Sequence, residues 1–460
     1  MNHNVMNAAA KVVEDKMAPQ EGVPTSHVSN PSNEPDKFAD PSGDTMQALA
    51  WQARNKVEMV EAKKPKLVDE EDVLLRVTGS TICGSDLHLL HGAIIELEKG
   101  DILGHEFMGI VESCGPKVTK VKPGDRVVAC FDIACGKCYM CKNKLFTACI
   151  KTNSSSLHNA MYGNRTSGFF GYSHFVGGFS GGQSEWVRVP WANANLLKLP
   201  ESVPDEAGLY LSDVLSTSYH CVVDTGVKEG DIVGVWGLGP IGLLAAKWSF
   251  LKGASRVIAI DNVQWRLDYA KEKIPQIETL NFDEYKDVAK RINEITAPGD
   301  PNSFENSRPP GLDVALECSA GEYAKGLIHK VETAIGLEND SSEILNECIA
   351  SVINFGSIGI TGVYTGFTNH FNIGAIMEKG VRLIGNGQSP TQRHWETILN
   401  DYIIPGKIDV VDLIVTHRIP LEKVAEFYTR LDKREEGIMK TFVATKFSSP
   451  PSAGAPQSLA

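Results

Sequence analysis

Residues 231–261 read DIVGVWGLGPIGLLAAKWSFLKGASRVIAID, and the fold is decided there. DIVGVW is a short apolar run of the kind buried in a sheet. RVIAID repeats the pattern after the apolar, helix-like segment PIGLLAAKWSFLKG. Between strand and helix stands Gly237-Leu238-Gly239-Pro240-Ile241-Gly242. A GxGxxG string alone is weak evidence, but a strand before it and a helix after it give it meaning. The first glycine permits a tight turn, the second lets a pyrophosphate approach the backbone, and the third lets helix and strand pack closely. The helix opening at Pro240 and Ile241 then offers free N–H groups and a positive dipole to phosphate oxygens. Asp261 ends the second strand, nineteen residues after Gly242. A carboxylate there would accept from the ribose hydroxyls and disfavour a 2′-phosphate, although Arg266 is near enough in sequence to reach the ribose edge. The stretch predicts a βαβ unit that binds NAD.

Downstream, VQWRLDYAKEK and EILNECIASV read as helices, and LDVALEC and FGSIGITGV as strands. Such alternation predicts an α/β, doubly wound parallel sheet over residues 214–386, with APGDPNSFENSRPPG as a loop. Upstream, DVLLRVTGS, FMGIVESCG and DRVVACF are short strand candidates separated by turn residues. They predict a β-rich domain over residues 46–213, to which residues 387–447 return. Residues 151–190 are rich in Gly, Asn, Ser and aromatics, and read equally as a functional loop or a surface insertion. The flanks, 1–45 and 448–460, are Pro- and Ser-rich without apolar periodicity and read as disordered tails.

Composition limits the function classes. The 460 residues are 42% apolar and 22% charged, with a net charge of -12. These values suit a soluble protein and disfavour a general nucleic-acid or anionic-membrane surface. No apolar run is long enough for a membrane span. The opening MNHNVMNAAAKVVEDKM lacks a signal-like apolar core and carries Glu14 and Asp15, so a cytosolic location is expected. Ten cysteines in such a chain call for an explanation other than disulfides.

Four of them form Cys135-x2-Cys138-x2-Cys141-x7-Cys149. Four thiolates on one short loop fit a closed, structural zinc site, with an iron–sulfur cluster as the rival. Lys137, Lys142 and Lys144 would offset its charge. A second constellation is dispersed: Cys83-Gly84-Ser85-Asp86-Leu87-His88, then Gly104-His105-Glu106. Either piece alone reads as a core Cys or a satisfied His.

Taken together, CGSDLH, GHEFMG, the four-cysteine lobe and GLGPIG followed by IDN resemble the medium-chain zinc-dependent alcohol dehydrogenases over about residues 46–447. The resemblance implies a Rossmann domain joined to a β-rich, GroES-like catalytic domain that carries the zinc lobe. It makes Cys83 and His105 ligands of a catalytic zinc, with Glu106 beside the metal. No Cys fits the third ligand position before Cys221, but Leu211-Ser212-Asp213 followed by TSYH stands at the right place. That string, with MYGNRTSGFFGYSHF, GGQSEWVRVPWA and GNGQSP, resembles the glutathione-independent formaldehyde dehydrogenase branch, and so implies Asp213 as third ligand. Ser85 would take the alcohol proton and pass it through the cofactor ribose to His88, and Phe131 would line the substrate pocket. The expectation is two zinc ions per chain, NAD, a primary alcohol or aldehyde as substrate, and a homodimer or homotetramer. A polyol dehydrogenase is the near alternative. A non-catalytic zinc-stabilised binding protein is the distant one, and it would need a broken catalytic set.

Overall fold

The computed structural model describes residues 23–298, 308–319, 341–364, 366, 368–435 and 437–458. Two compact units emerge: residues up to Ser216 together with those from Pro390 onward, and Thr217–Ser389. In chain order the strands are β1 (Thr45–Ala53), β2 (Lys56–Lys63), β3 (Val73–Ser80), β4 (Phe107–Cys114), β5 (Arg126–Ala129), β6 (Asp132–Ile133), β7 (Gly168–Phe169), β8 (Trp186–Val189) and β9 (Leu196–Lys198). There follow β10 (Ile232–Trp236), β11 (Arg256–Asp261), β12 (Glu278–Asn281), β13 (Leu312–Glu317), β14 (Val352–Ile360), β15 (Arg382–Gly385), β16 (Val415–Pro420) and β17 (Lys440–Ala444). None of the described helices is long and apolar enough to cross a membrane.

Thr217–Ser389 is the doubly wound unit. Its six strands run in the order β12-β11-β10-β13-β14-β15, and every neighbouring pair is parallel. All five residues of β10 are buried, because helices cover both faces of a parallel sheet. The chain moves outward to β11 on one side of β10 and to β13 on the other, so the strand order reverses beside β10. Ligands bind at such reversals, beyond the carboxyl ends of the strands. The helix Glu343–Ser351 buries Ile344, Leu345, Cys348 and Ile349. Most of the APGDPNSFENSRPPG loop falls outside the described residues.

The other unit is built on a largely antiparallel sheet, β16-β17-β3-β4-β5-β9, with β8 also paired to β3. Val73, Leu75, Val77, Phe107 and Val127 fill its core. Register explains why distant residues meet. Ser80 at the end of β3 pairs with Phe107 at the start of β4 and with Val443 of β17. Residues just after β3, just before β4 and at the start of β17 therefore share one end of the sheet.

The glycine-rich segment after residue 151 is no surface ornament. Gly171 has φ +58°, and a Cβ there would come within 2.4 Å of the Gly104 backbone. The segment thus lies backbone against backbone on the loop that carries His105.

The reading of the flanks needs correction. Residues 1–22, 459 and 460 lie outside the described residues, but 23–45 and 448–458 are packed. Phe38 is 1% exposed, with the Arg188 guanidinium 5.6 Å from its ring centre. Ser180 N–H donates to Val28 O at 3.0 Å, and Ile102 N–H to Ser29 O at 3.2 Å. At the other end Arg418 donates to Ser449 O, and Ser452 Oγ to Glu206 at 2.7 Å. A few anchors to remote partners are enough to order a polar segment, and local composition carries no sign of those partners.

Candidate active site

Cys83 caps the helix Gly84–Leu90, and its N–H donates to Asp86 Oδ2 at 2.9 Å. His105 and Glu106 precede β4, and Asp213 follows a short 3-10 turn, Leu209–Ser212, whose Ser212 O accepts from Phe131 N–H. One donor atom each from Cys83, His105, Glu106 and Asp213 lies within 4.8 Å of the others. His105 is 2% exposed. Its Nδ1 stands 3.2 Å from Asp86 Oδ1 and its Nε2 3.4 Å from Asp213 Oδ2, yet neither contact has hydrogen-bond geometry. A buried imidazole whose Nε2 faces a carboxylate and a thiol without an aligned partner fits a metal ligand. Thiolate, imidazole and carboxylate are also the donor types zinc takes.

The surrounding charges are arranged to suit. Burial opposes an imidazolium at His105, but Asp86, Tyr172 and Asp213 outweigh it and push the ring well above its ordinary value. Burial raises Glu106, against the pull of Lys440. Lys440 Nζ donates to Glu106 Oε1, and both side chains are buried. Burial works against the Lys440 ammonium, and Glu106 more than restores it, above the usual range. Asp86 also receives Gln183 Nε2 at 3.4 Å, and Gln183 Oε1 accepts from Tyr428 at 2.9 Å.

Ser85 and His88 lie one turn apart on the helix Gly84–Leu90, so they share a face. Phe131 stands edge-on to His105 with ring centres 6.4 Å apart. Behind it, buried Asp132 accepts from Cys130 Sγ at 2.7 Å and from Gln392 Nε2 at 3.2 Å, and burial pushes its carboxyl up to about 7.

The four-cysteine lobe forms a second donor set, again within 4.8 Å. Its Sγ–Sγ separations of 3.5, 3.9 and 4.0 Å compare with about 3.8 Å for the edge of a tetrahedron with Zn–S bonds of about 2.3 Å. Hydrogen bonds from Cys141 and Cys149 hold the Cys135 thiol far below its usual range, while the bond to Cys135 raises Cys149 to about 12. The N–H groups of Lys137 and Cys138 also point at Cys135 Sγ. Four sulfurs at tetrahedral spacing fit a structural zinc.

In the other unit the glycine turn has the form its sequence demands. A Cβ on Gly242 would come within 1.8 Å of Gly237 O. Asp261 is 6% exposed: Oδ2 accepts from Leu238 N–H at 2.6 Å, and Oδ1 from the N–H groups of Asn262 and Val263. It therefore fixes the glycine turn. The Arg266 guanidinium lies 5.5 Å from the ring centre of Trp265.

Sequence reading did not single out Asp86, Gln183, Tyr172 or Lys440. Asp86 was detectable in principle, as the third helical residue after a capping Cys83. Lys440 had no local signal at all.

Comparison with known proteins agrees with this geometry. Residues 69–201 match the alcohol dehydrogenase GroES-like domain. A zinc-type alcohol dehydrogenase-like protein of Schizosaccharomyces pombe is 40% identical over 88% of this chain and 92% of its own. The glutathione-independent formaldehyde dehydrogenase of Pseudomonas aeruginosa is 31% identical over 86% of this chain and 96% of its own. Among solved structures, alcohol dehydrogenase TADH from Thermus sp. ATN1 superposes with TM-score 0.72 at 28% identity, covering 87% of this chain and all of that one. With both zinc-type donor sets in place and a relative of this identity spanning most of its length, the chain belongs to the zinc-type medium-chain alcohol dehydrogenase family, as a zinc-dependent oxidoreductase.

Proposed function

We propose that this chain oxidises a short primary alcohol, or reduces the matching aldehyde, with NAD in preference to NADP, close to the glutathione-independent formaldehyde dehydrogenases. The observation that carries the reading is the convergence of Cys83, His105 and Asp213 with Glu106 behind them. Cys83 and Asp213 bring two negative charges, which would leave a bound divalent ion nearly neutral, and three ligands leave one position for substrate. Zinc in that position supplies Lewis acidity, which makes a nearby hydroxyl acidic at neutral pH. Asp86 Oδ1 lies 3.2 Å from His105 Nδ1, which leaves Nε2 as the nitrogen for the ion. Ser85 Oγ takes the proton of the alcohol, and His88, one turn on, is the group to release it. Phe131 walls the reacting carbon. Asp261 favours NAD because a 2′-phosphate would meet its charge.

Two wider expectations go with this. All ten cysteines are free, which supports a reducing, cytosolic setting. Among the described residues β15 ends its sheet, and Phe355, Ile373 and Met377 of the same unit are exposed, which supports self-association as a homodimer or homotetramer.

The test is Asp213→Asn with a substrate series. The amide keeps the size and loses a ligand charge. Zinc should fall from two per chain toward one and turnover by roughly 100-fold, with the fold retained. Wild-type turnover and two zinc ions in the variant would sink the ligand assignment. Faster turnover of sorbitol or xylitol than of short primary alcohols would sink the substrate assignment.

A further inference from the structure

Glu317 ends β13 with no exposed surface, and nothing in the proposed chemistry uses it. It pairs on one side with Trp236, the last residue of β10, and on the other with Ile360, the last residue of β14. It therefore stands at the carboxyl end of the sheet, beside the point where the strand order reverses. Its two carboxylate oxygens are divided between two loops. Oε1 accepts from Ser319 N–H at 2.8 Å and from Ser319 Oγ at 2.6 Å, in the loop that leaves β13. Oε2 accepts from Gly362 N–H at 3.2 Å, in the loop that leaves β14. The main chain repeats the second link, since Glu317 O accepts from the N–H groups of Thr361 and Gly362.

The loop after β13 in turn bears on the glycine turn. A Cβ on Gly237 would come within 2.9 Å of Ser319 Cα, and Cys318 N–H donates to Trp236 O at 2.9 Å. The turn is thus set between two strand-end carboxylates. Asp261, from β11, holds it on one side through Leu238 N–H. Glu317, from β13, fixes the loop that touches it on the other. A dinucleotide with its pyrophosphate on the turn and its adenosine ribose by Asp261 carries its second mononucleotide across the reversal, toward the ends of β13 and β14.

We propose that Glu317 is a positioning residue for the nicotinamide half of the cofactor, fixing the loops after β13 and β14 as one rim of the cleft. The inference rests on the reading of Thr217–Ser389 as the NAD-binding unit. A carboxylate suits the place because it accepts on both oxygens, and its partners here are two N–H groups and a hydroxyl. An amide in its place would set NH2 against one of those N–H groups, so one loop would be released.

Two ligands divide the cleft, since AMP occupies the adenosine side alone and NADH spans the whole. Their affinities for the full chain, as wild type, Glu317→Gln and Ser319→Ala, are measured by titration calorimetry. In Glu317→Gln, NADH binding should weaken about tenfold, on the order of one lost hydrogen bond, while AMP binding stays within about twofold of wild type. Ser319→Ala, which keeps the N–H bond and loses only the hydroxyl, should show the same split at about threefold. Equal weakening of AMP and NADH in Glu317→Gln would make the residue a general support of the sheet and overturn the inference. Unchanged NADH affinity in that variant would overturn it too. If Glu317→Gln is insoluble, Ser319→Ala decides by the presence or absence of the split. A wild-type protein that binds neither AMP nor NADH would instead remove the reading of this unit as the cofactor domain, and the inference with it.

Discussion

A carboxyl group with no exposed surface, Asp132, sits behind Phe131 with a thiol and an amide as its donors. Burial lifts it from 3.8 to about 7, so the folded state holds its proton more tightly than the unfolded chain does. Its contribution to stability is therefore full below about pH 4 and is lost as pH rises toward 7. Above that, the ionised group costs on the order of a few kcal/mol. Asp132→Asn should melt several degrees above wild type at pH 8, and the advantage should vanish near pH 4; a constant difference across that range would contradict the assignment. Residues like this show where sequence reading stops. That Asp213 stands beside Cys83 and His105 could be expected from a resemblance, LSD before TSYH, and the structure brings the three donors together. Cys83 and His105 were legible because their short motifs flank strands. Asp132 and Lys440 gain their meaning from groups 260 and 334 positions away, and neither has a motif.

At the level of elements, the four-cysteine loop gathers four sulfur donors within 4.8 Å of one another, a set a single zinc would close. Such a closed site adds its binding free energy to folding. Cys138→Ser should lower the melting temperature or yield insoluble protein and reduce zinc by one per chain, read by thermal scanning and metal analysis. Full stability would argue for a lobe held by packing alone. The strands DIVGVW, RVIAID and LDVALEC were legible because burial on both faces leaves a continuous apolar run. The flanks were not legible. Residues 23–45 are ordered by Phe38 and by backbone hydrogen bonds to loops near residues 102 and 180, and none of this raises local hydrophobicity. The glycine-rich segment was half legible, since its composition marked it as unusual and only its contact with Gly104 gave it a purpose.

For the whole molecule, β15 is the last strand of its sheet among the described residues, and the proposed self-association would use it. Leu383 in that strand is 37% exposed and Met377, in the preceding helix, 72%, and a strand edge unpaired among the described residues offers N–H and C=O groups to a second copy. Met377→Lys with Leu383→Lys should shift the protein toward monomer in size-exclusion chromatography with light scattering. A wild-type protein that is already monomeric at micromolar concentration would refute the oligomer. The register that joins β3, β4 and β17 also governs how the molecule is made. Glu106 and Lys440 are 334 positions apart. At about 5–20 residues per second, the carboxylate leaves the ribosome roughly 15–70 s before its buried counter-ion exists. Thr217–Ser389 is contiguous and can mature during that interval, whereas the catalytic unit has to wait for its final strand. Synthesis thus delays the buried Glu106–Lys440 pair, and the pocket it closes, until β17 has emerged.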